Sequence, residues 1–172
     1  WVLFVANDVR FWKHCIRRLW NTRSPARPLQ PKLVCSANEG DVDNTGLTWQ
    51  WPGYGMSRRR LVSMLTPIVP STCYLMQKNT WEKIGGFDTN LFTSHEDVDM
   101  GLRLTQQGHW NEVVPSAGVV HLGNATLRYQ PSHNRAAFHR DRLYVLRKHY
   151  HGWNYWTRYL AVQLLDHLPR FS

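Results

Sequence analysis

The apolar residues of this chain come in short bursts, and that constrains its fold more than any other feature. WVLFV (1–5), KLVCSA (32–37), IVPSTCYLMQ (68–77), WNEVVP (110–115) and AGVVHL (117–122) are each the length of a strand. Between and after them lie stretches with helical spacing. FWKHCIRRLW (11–20) places Phe11, Cys15, Ile16, Leu19 and Trp20 at helical intervals, and three prolines follow in NTRSPARPLQP. KNTWEKIGG reads as a short helix ended by Gly85, residues 94–107 as a longer one closed by Gly108, and 134–149 as a basic helix. Residues 153–168 put Trp153, Trp156, Leu160, Leu164 and Leu168 on one face. Residues 38–66 are polar and glycine-rich, with DNTG as a turn signal. Short strands mixed with helices mean an α/β fold. WVLFV followed by Asn-Asp reads as a buried parallel strand ending in a loop.

At 172 residues the chain can build a core without staples, and its 42% hydrophobic and 19% charged content is that of a globular protein. The net charge of +9 predicts attraction to polyanions: nucleic acid, anionic lipid or phosphorylated substrates. The basic residues crowd the end of the chain, where Arg128, Arg135, Arg140, Arg142, Arg147, Lys148, Arg158 and Arg170 face only Asp141 and Asp166. Cys15, Cys35 and Cys73 are far apart with no CxxC spacing, which argues against a disulfide framework and fits a reducing compartment. No apolar run has the roughly 18 residues a spanning helix needs. The chain opens without Met and already in an apolar run, which reads as a piece whose beginning is missing.

Against this basic background, FTSHEDVDMGLRL (92–104) holds Glu96, Asp97 and Asp99 within four positions. Some of this is helix construction. Thr93 stands three residues before Glu96, the spacing of a capping box, and acids in a first turn suit the helix dipole. Asp99 stands four residues before Arg103, the better orientation for a helical ion pair, and is read as structural. Glu96 and Asp97 diverge by about 100° around the helix, so the two cannot both serve one cap. Capping and chemistry are evenly matched on local grounds. Asp8 and His121 add weight to chemistry, since each follows a strand, where open α/β sheets place ligands. Carboxylate and imidazole groups there suit a divalent cation, Mn²⁺ or Mg²⁺, with phosphate oxygens completing its shell.

The ordered string GGFDTNLFTSHEDVDMGLRLTQQGHWNEVVPSAGVVHLGNAT resembles the second half of the catalytic domain of inverting family 2 glycosyltransferases of the GT-A fold, in the rhamnosyltransferase-like branch. VLFVANDV resembles the family's strand and metal loop, and VPSTCYLMQKNTWEKIGGFD its strand–helix approach. The likeness runs from residue 1 to about 128, with a poor fit at 38–66. It implies the C-terminal part of a GT-A mixed-sheet domain over 1–128, without its N-terminal nucleotide-binding half, followed by a basic amphipathic helical extension over 129–172. It implies that Asp97 is the base taking the acceptor proton, with Glu96 beside it, and that Asp8 and His121 hold the cation. Gly85, Gly86, Phe87, Asp88 and Thr72 match the donor- and acceptor-binding side. Ala6 stands where the metal motif usually has Asn or Asp.

The partners implied are a nucleotide-diphosphate sugar and a glycan or lipid-linked acceptor, as in cell-envelope polysaccharide synthesis. The location implied is cytoplasmic, peripheral at the inner face of the cell membrane. This stretch alone is expected to be inactive. The end of the chain has two readings: a basic face packing its apolar side on the domain, or a membrane-surface helix with Trp153, Tyr155, Trp156 and Tyr159 at headgroup level and arginines on anionic lipid. Nucleic-acid binding ranks well below, for want of any recognised motif. A hydrolase ranks low, because adjacent acids lack the separation a glycosidase pair needs. The alternative to a transferase is a non-catalytic membrane- or polyanion-binding remnant of one.

Overall fold

A computed structural model describes residues 1–34, 42–57, 64–91, 94–121 and 131–167. In chain order the elements are β1 (Val2–Val5), β2 (Val9–Phe11), α1 (Cys15–Thr22), β3 (Leu29–Val34), β4 (Val42–Asn44), β5 (Leu47–Gln50), β6 (Tyr54–Ser57), β7 (Met64–Thr66), β8 (Cys73–Met76), α2 (Lys78–Lys83), α3 (Glu96–Gln106), β9 (Asn111–His121), α4 (Pro131–His149) and α5 (Gly152–His167).

The main sheet runs β1-β8-β3-β9-β2, with β4 added to β3 and β7 to β9. Only β3 and β9 pair in parallel; the other described pairs are antiparallel. This is the mixed α/β architecture expected. The registers make β1, β3 and β9 run the same way, so their C-terminal ends share one end of the sheet. One face carries α1 over Cys15, Leu19, Leu29, Leu33, Cys73, Leu75 and Val119. A second cluster unites Tyr74 and Met76 of β8 with Met100 and Leu104 of α3, and a third joins Ile68, Leu91 and Val98 to Val145 of α4.

Several local expectations change. β1 is not a buried parallel strand: it pairs antiparallel with β8 at an edge of the described sheet, and Val5 is 44% exposed. A continuous apolar run records burial tendency but not the direction of a partner. Residues 110–115 and 117–122, read as two strands, form the single β9, whose register against β3 jumps from Pro31↔Val114 to Lys32↔Gly118. The residues around Pro115 bulge while the strand continues, because proline withholds a ladder donor without ending pairing elsewhere. Residues 9–11 join β9 as β2, so the first helix starts at Cys15, burying Cys15 and Leu19 while Ile16 and Trp20 remain exposed. The strand-like 68–77 contributes only Cys73–Met76. The DNTG turn forms as read, with the Asn44 side chain accepting the Gly46 N–H at 2.6 Å.

Candidate active site

Asp8 sits just past β1, and the pairing of Val9 with His121 carries it beside the end of β9. The two side chains meet there, Asp8 Oδ2 lying 3.4 Å from His121 Nε2, each about one-fifth exposed. The sheet register thus unites residues that stand 113 positions apart (121 − 8) in the chain.

The acids of α3 reach the same end of the sheet by a different route. β8 runs antiparallel to β1, so its N-terminal approach lies beside the C-terminal end of β1. There the Ala6 N–H donates to the Thr72 carbonyl at 2.8 Å, and the neighbouring Ser71 hydroxyl donates to Glu96 Oε1 at 2.5 Å. The turn before β8 therefore links the Asp8 loop to Glu96. Thr72 is buried at this junction.

His95, the residue at the N-cap of α3, makes no side-chain capping bond. It adopts the left-handed conformation (φ 63°), and Thr93, assigned to a capping box, lies outside the described residues. A non-glycine residue there is strained and must be held by its surroundings. His95 is buried between Trp49 (ring centroids 5.7 Å apart) and Phe138 (4.3 Å), with Nδ1 2.9 Å from Ser94 Oγ. Burial, with the Arg142 charge, lowers its pKa to about 4, so the ring is neutral at pH 7. The helix then starts with Glu96 and Asp97. Asp97 is half-buried, and its Oδ1 accepts the Val98 N–H at 2.7 Å. Burial, and secondarily the Glu96 carboxylate, push the Asp97 pKa up to about 7. A carboxyl group poised there is suited to accepting a proton near neutral pH.

Asp99 takes the structural role assigned to it. Fully buried, it accepts a bond from Arg103 Nε at 2.9 Å and meets Lys148 Nζ at 2.8 Å and His149 Nε2 at 2.8 Å. Burial raises its pKa, but the bonds from His149, Lys148 and Arg103 outweigh that and hold it below the ordinary carboxylate range.

The GGFD turn is built by Gly85 and Gly86, both at positive φ (77° and 71°). A Cβ on Gly86 would sit 3.0 Å from the Trp81 ring, so glycine serves both the conformation and the close approach. Phe87 turns into the core against Trp81 and Phe4. Asp88 receives Lys148 Nζ at 2.7 Å and Tyr144 OH at 2.9 Å, which ties the turn to α4. Beside it opens a surface cleft of about 380 Å³ lined by residues 84–89, Arg103 and Lys148. Ser71, His95 and Lys148 thus hold the acids and the turn, and the sequence reading assigned none of them. A serine before a strand and one lysine in a basic run carry no local signal.

Asp8 and His121 offer a carboxylate oxygen and an imidazole nitrogen side by side, a donor pair suited to a divalent cation whose remaining ligands come from phosphate oxygens and water. Among the described residues no group of three or more His, Cys, Asp or Glu is assembled for a metal.

No family model matches the chain. Over 101 residues it is 33% identical to the N-acetylglucosaminyl-diphospho-decaprenol L-rhamnosyltransferase of two Mycobacterium tuberculosis strains, CDC 1551 / Oshkosh and ATCC 25618 / H37Rv. That match takes in 56% of this chain and 33% of each relative, so the chain spans about a third of the length of the curated relatives it matches. The crystal structure of GalNAc-T7 with UDP, GalNAc and Mn²⁺ superposes with a TM-score of 0.56 at 12% identity, covering 69% of this chain and 27% of that one. At that identity the likeness speaks for the fold. The sequence relative is a rhamnosyltransferase and the structural neighbour a GT-A glycosyltransferase, in agreement with the resemblance in the motifs: the chain is similar to part of a glycosyltransferase over 101 residues, and its mixed sheet with C-terminal helices resembles the GT-A fold.

Proposed function

We propose that the protein to which this chain belongs is an inverting, cation-dependent glycosyltransferase. It moves a hexosyl or deoxyhexosyl group from a nucleotide-diphosphate donor to a hydroxyl of a glycan or lipid-linked acceptor. The observation that carries this reading is one end of the sheet where the Asp8–His121 pair and, through the Ser71–Glu96 bond, the Glu96–Asp97 pair are gathered. The Mn²⁺ with which GalNAc-T7 was crystallised supports a cation requirement, and the lipid-linked substrate in the rhamnosyltransferase's name supports the acceptor class.

A sugar hydroxyl is too weak an acid to attack unaided, so a base must take its proton as the new bond forms. Asp97 fills that role, fixed in the first turn of α3 by its bond to the Val98 N–H. The acceptor oxygen bonds to the anomeric carbon from the face opposite the leaving diphosphate, and the carbon–oxygen bond to that diphosphate breaks, inverting the centre. Glu96, held by Ser71, keeps a negative charge beside Asp97 and raises its basicity. Asp8 and His121 would hold the cation, which supplies positive charge to the departing diphosphate. The cleft beside Gly85–Asp88 is the candidate donor- and acceptor-binding side, and Thr72, whose carbonyl accepts the Ala6 N–H, is assigned to the same role beside the Asp8 loop. We further place the reaction at the cytoplasmic face of a membrane.

The test is transfer by the whole gene product from a panel of nucleotide-diphosphate sugars to a polyprenyl-diphospho-sugar acceptor, with and without Mn²⁺, and the anomeric configuration of the product. Cation-dependent transfer with inversion supports the reading. Retention of configuration, or turnover unaffected by Asp97→Asn, refutes it.

A further inference from the structure

α5 is built inside out for a helix of a water-soluble protein. At 100° per residue, Trp153, Trp156, Leu160 and Leu164 fall within an arc of about 80° and extend over about 16 Å of helix. These four side chains are 84%, 53%, 62% and 65% exposed. The charged residues of the same helix face the other way. Asp166 lies against the body of the protein, held by His139 Nδ1 at 2.6 Å, Arg142 Nη1 at 3.1 Å and Tyr54 OH at 3.0 Å. Arg158 lies over the Tyr150 ring at 4.1 Å, and Val162 is buried. A shallow groove lined by Gly152, Trp153, Trp156 and Leu160 marks the exposed apolar face. Contiguous exposed apolar surface of this kind marks an interaction site.

The charges of the segment that carries the stripe indicate what covers it. Residues 131–167 contain six cations (Arg135, Arg140, Arg142, Arg147, Lys148, Arg158) and two acids, Asp141 and Asp166. Both acids are turned inward, with side chains 1% and 16% exposed. Arg135, Arg140 and Arg147 are exposed. This segment therefore shows the solvent an aromatic and leucine stripe, arginines, and no exposed carboxylate among its described residues. A second copy would bring the same arginines and the same +9 charge to the contact, which disfavours self-association. An anionic bilayer is complementary in both respects, apolar below and negative at its surface. No described helix is long and apolar enough to cross a membrane, so the contact is one of lying on the surface.

We propose that the outward face of α5 is a membrane-docking surface that seats Trp153, Trp156, Leu160 and Leu164 at the headgroup–acyl boundary of an anionic bilayer, to which the net positive charge of residues 131–167 draws it. The inference is independent of the transferase reading, because it rests on exposure and charge alone and its test needs no turnover.

The experiment is co-sedimentation of the protein with vesicles of phosphatidylcholine alone and of phosphatidylcholine mixed equally with phosphatidylglycerol, at low and high salt. It is repeated for Leu160→Glu and for Trp153→Ala combined with Trp156→Ala. All three positions are exposed, so unchanged circular dichroism is expected to show that the variants fold. The proposal expects binding to the mixed vesicles that is weakened by salt and by the absence of phosphatidylglycerol. It also expects each variant to lower the binding constant by roughly tenfold or more, since burying one leucine or tryptophan is worth at least that. Failure to sediment with the mixed vesicles overturns it. Binding that persists unchanged in both variants overturns it too, because the stripe would then have no part in adsorption driven by charge. A dimer in sedimentation equilibrium that Leu160→Glu dissociates, without vesicle binding, would assign the face to a second copy instead.

Discussion

Asp97 illustrates how much of a residue's chemistry is supplied by its neighbours. An ordinary aspartate is a poor base at neutral pH, whereas burial and the Glu96 charge bring this one to about 7. Replacing Asp97 with Asn is expected to lower kcat by about 10²–10⁴-fold, the usual contribution of a positioned base, while circular dichroism stays unchanged. Because the proposed base acts only when ionised, kcat/KM should rise with pH and level off above about 7. Glu96→Gln keeps an acceptor for Ser71 but removes a negative charge that raises the Asp97 pKa. The rising limb should therefore move to lower pH, and a pH–rate profile of that variant measures the shift. At the pair proposed to hold the cation, Asp8→Asn or His121→Ala should raise the Mn²⁺ concentration needed for half-maximal activity by at least the roughly tenfold lost with even an outer-shell partner.

α3 is held between two neighbours, and each contact has its own failure. On one side it lies so close to the chain before β8 that a Cβ on Gly101 would meet Ile68 Cγ1 at 2.7 Å and the Pro67 carbonyl at 2.8 Å. Gly101→Ala should destabilise the protein by about 1–3 kcal/mol in urea denaturation, although alanine is the better helix former, because the helix must back away from its support. On the other side Asp99 clamps α4 through Lys148 and His149. Asp99→Ala strands the Lys148 and Arg103 charges and leaves buried His149 Nε2 without its partner, and is expected to cost about 3–5 kcal/mol. Since the folded Asp99 pKa is lowered, its contribution is fully present above the unfolded carboxylate range and is lost as pH falls through the folded value. The wild-type protein should therefore lose stability in acid more steeply than Asp99→Asn, which thermal unfolding at several pH values would show.

Across the molecule, the basic C-terminal helices are part of the packed body. Val145 and Leu146 are fully buried, Val145 joins the cluster of Ile68, Leu91 and Val98, and Lys148 bridges Asp88 and Asp99. A chain ended at residue 130 would uncover that cluster and leave two acids without their cation. It is expected to aggregate or to unfold without a cooperative transition, which calorimetry would reveal. The region least legible in the sequence, 38–66, contributes β4 to β7 over its described part, including the hairpin of β5 and β6 that brings Trp49 to His95. Its strands are only three or four residues long, too short for a period-2 pattern to rise above the glycine and polar residues around them.

What the sequence determined alone is what short range encodes. The alternation of apolar bursts with helical spacing sets the α/β class, Asp99 and Arg103 pair because four residues make one helical turn, and the GGFD turn needs glycines at positive φ wherever it lies. Tertiary structure decided which distant groups meet. Asp8 and His121 come together only through the register of β2 on β9, Ser71 reaches Glu96 because α3 packs on β8, and the antiparallel pairing of β8 with β1 brings that contact beside the Asp8 loop. It also decided the direction in which a periodic face points. The stripe of α5 was legible from its spacing, but spacing is unchanged by rotating a helix about its axis. Asp166, drawn inward by His139, Arg142 and Tyr54, lies against the body on the face opposite the tryptophans and leucines, which turn to the solvent.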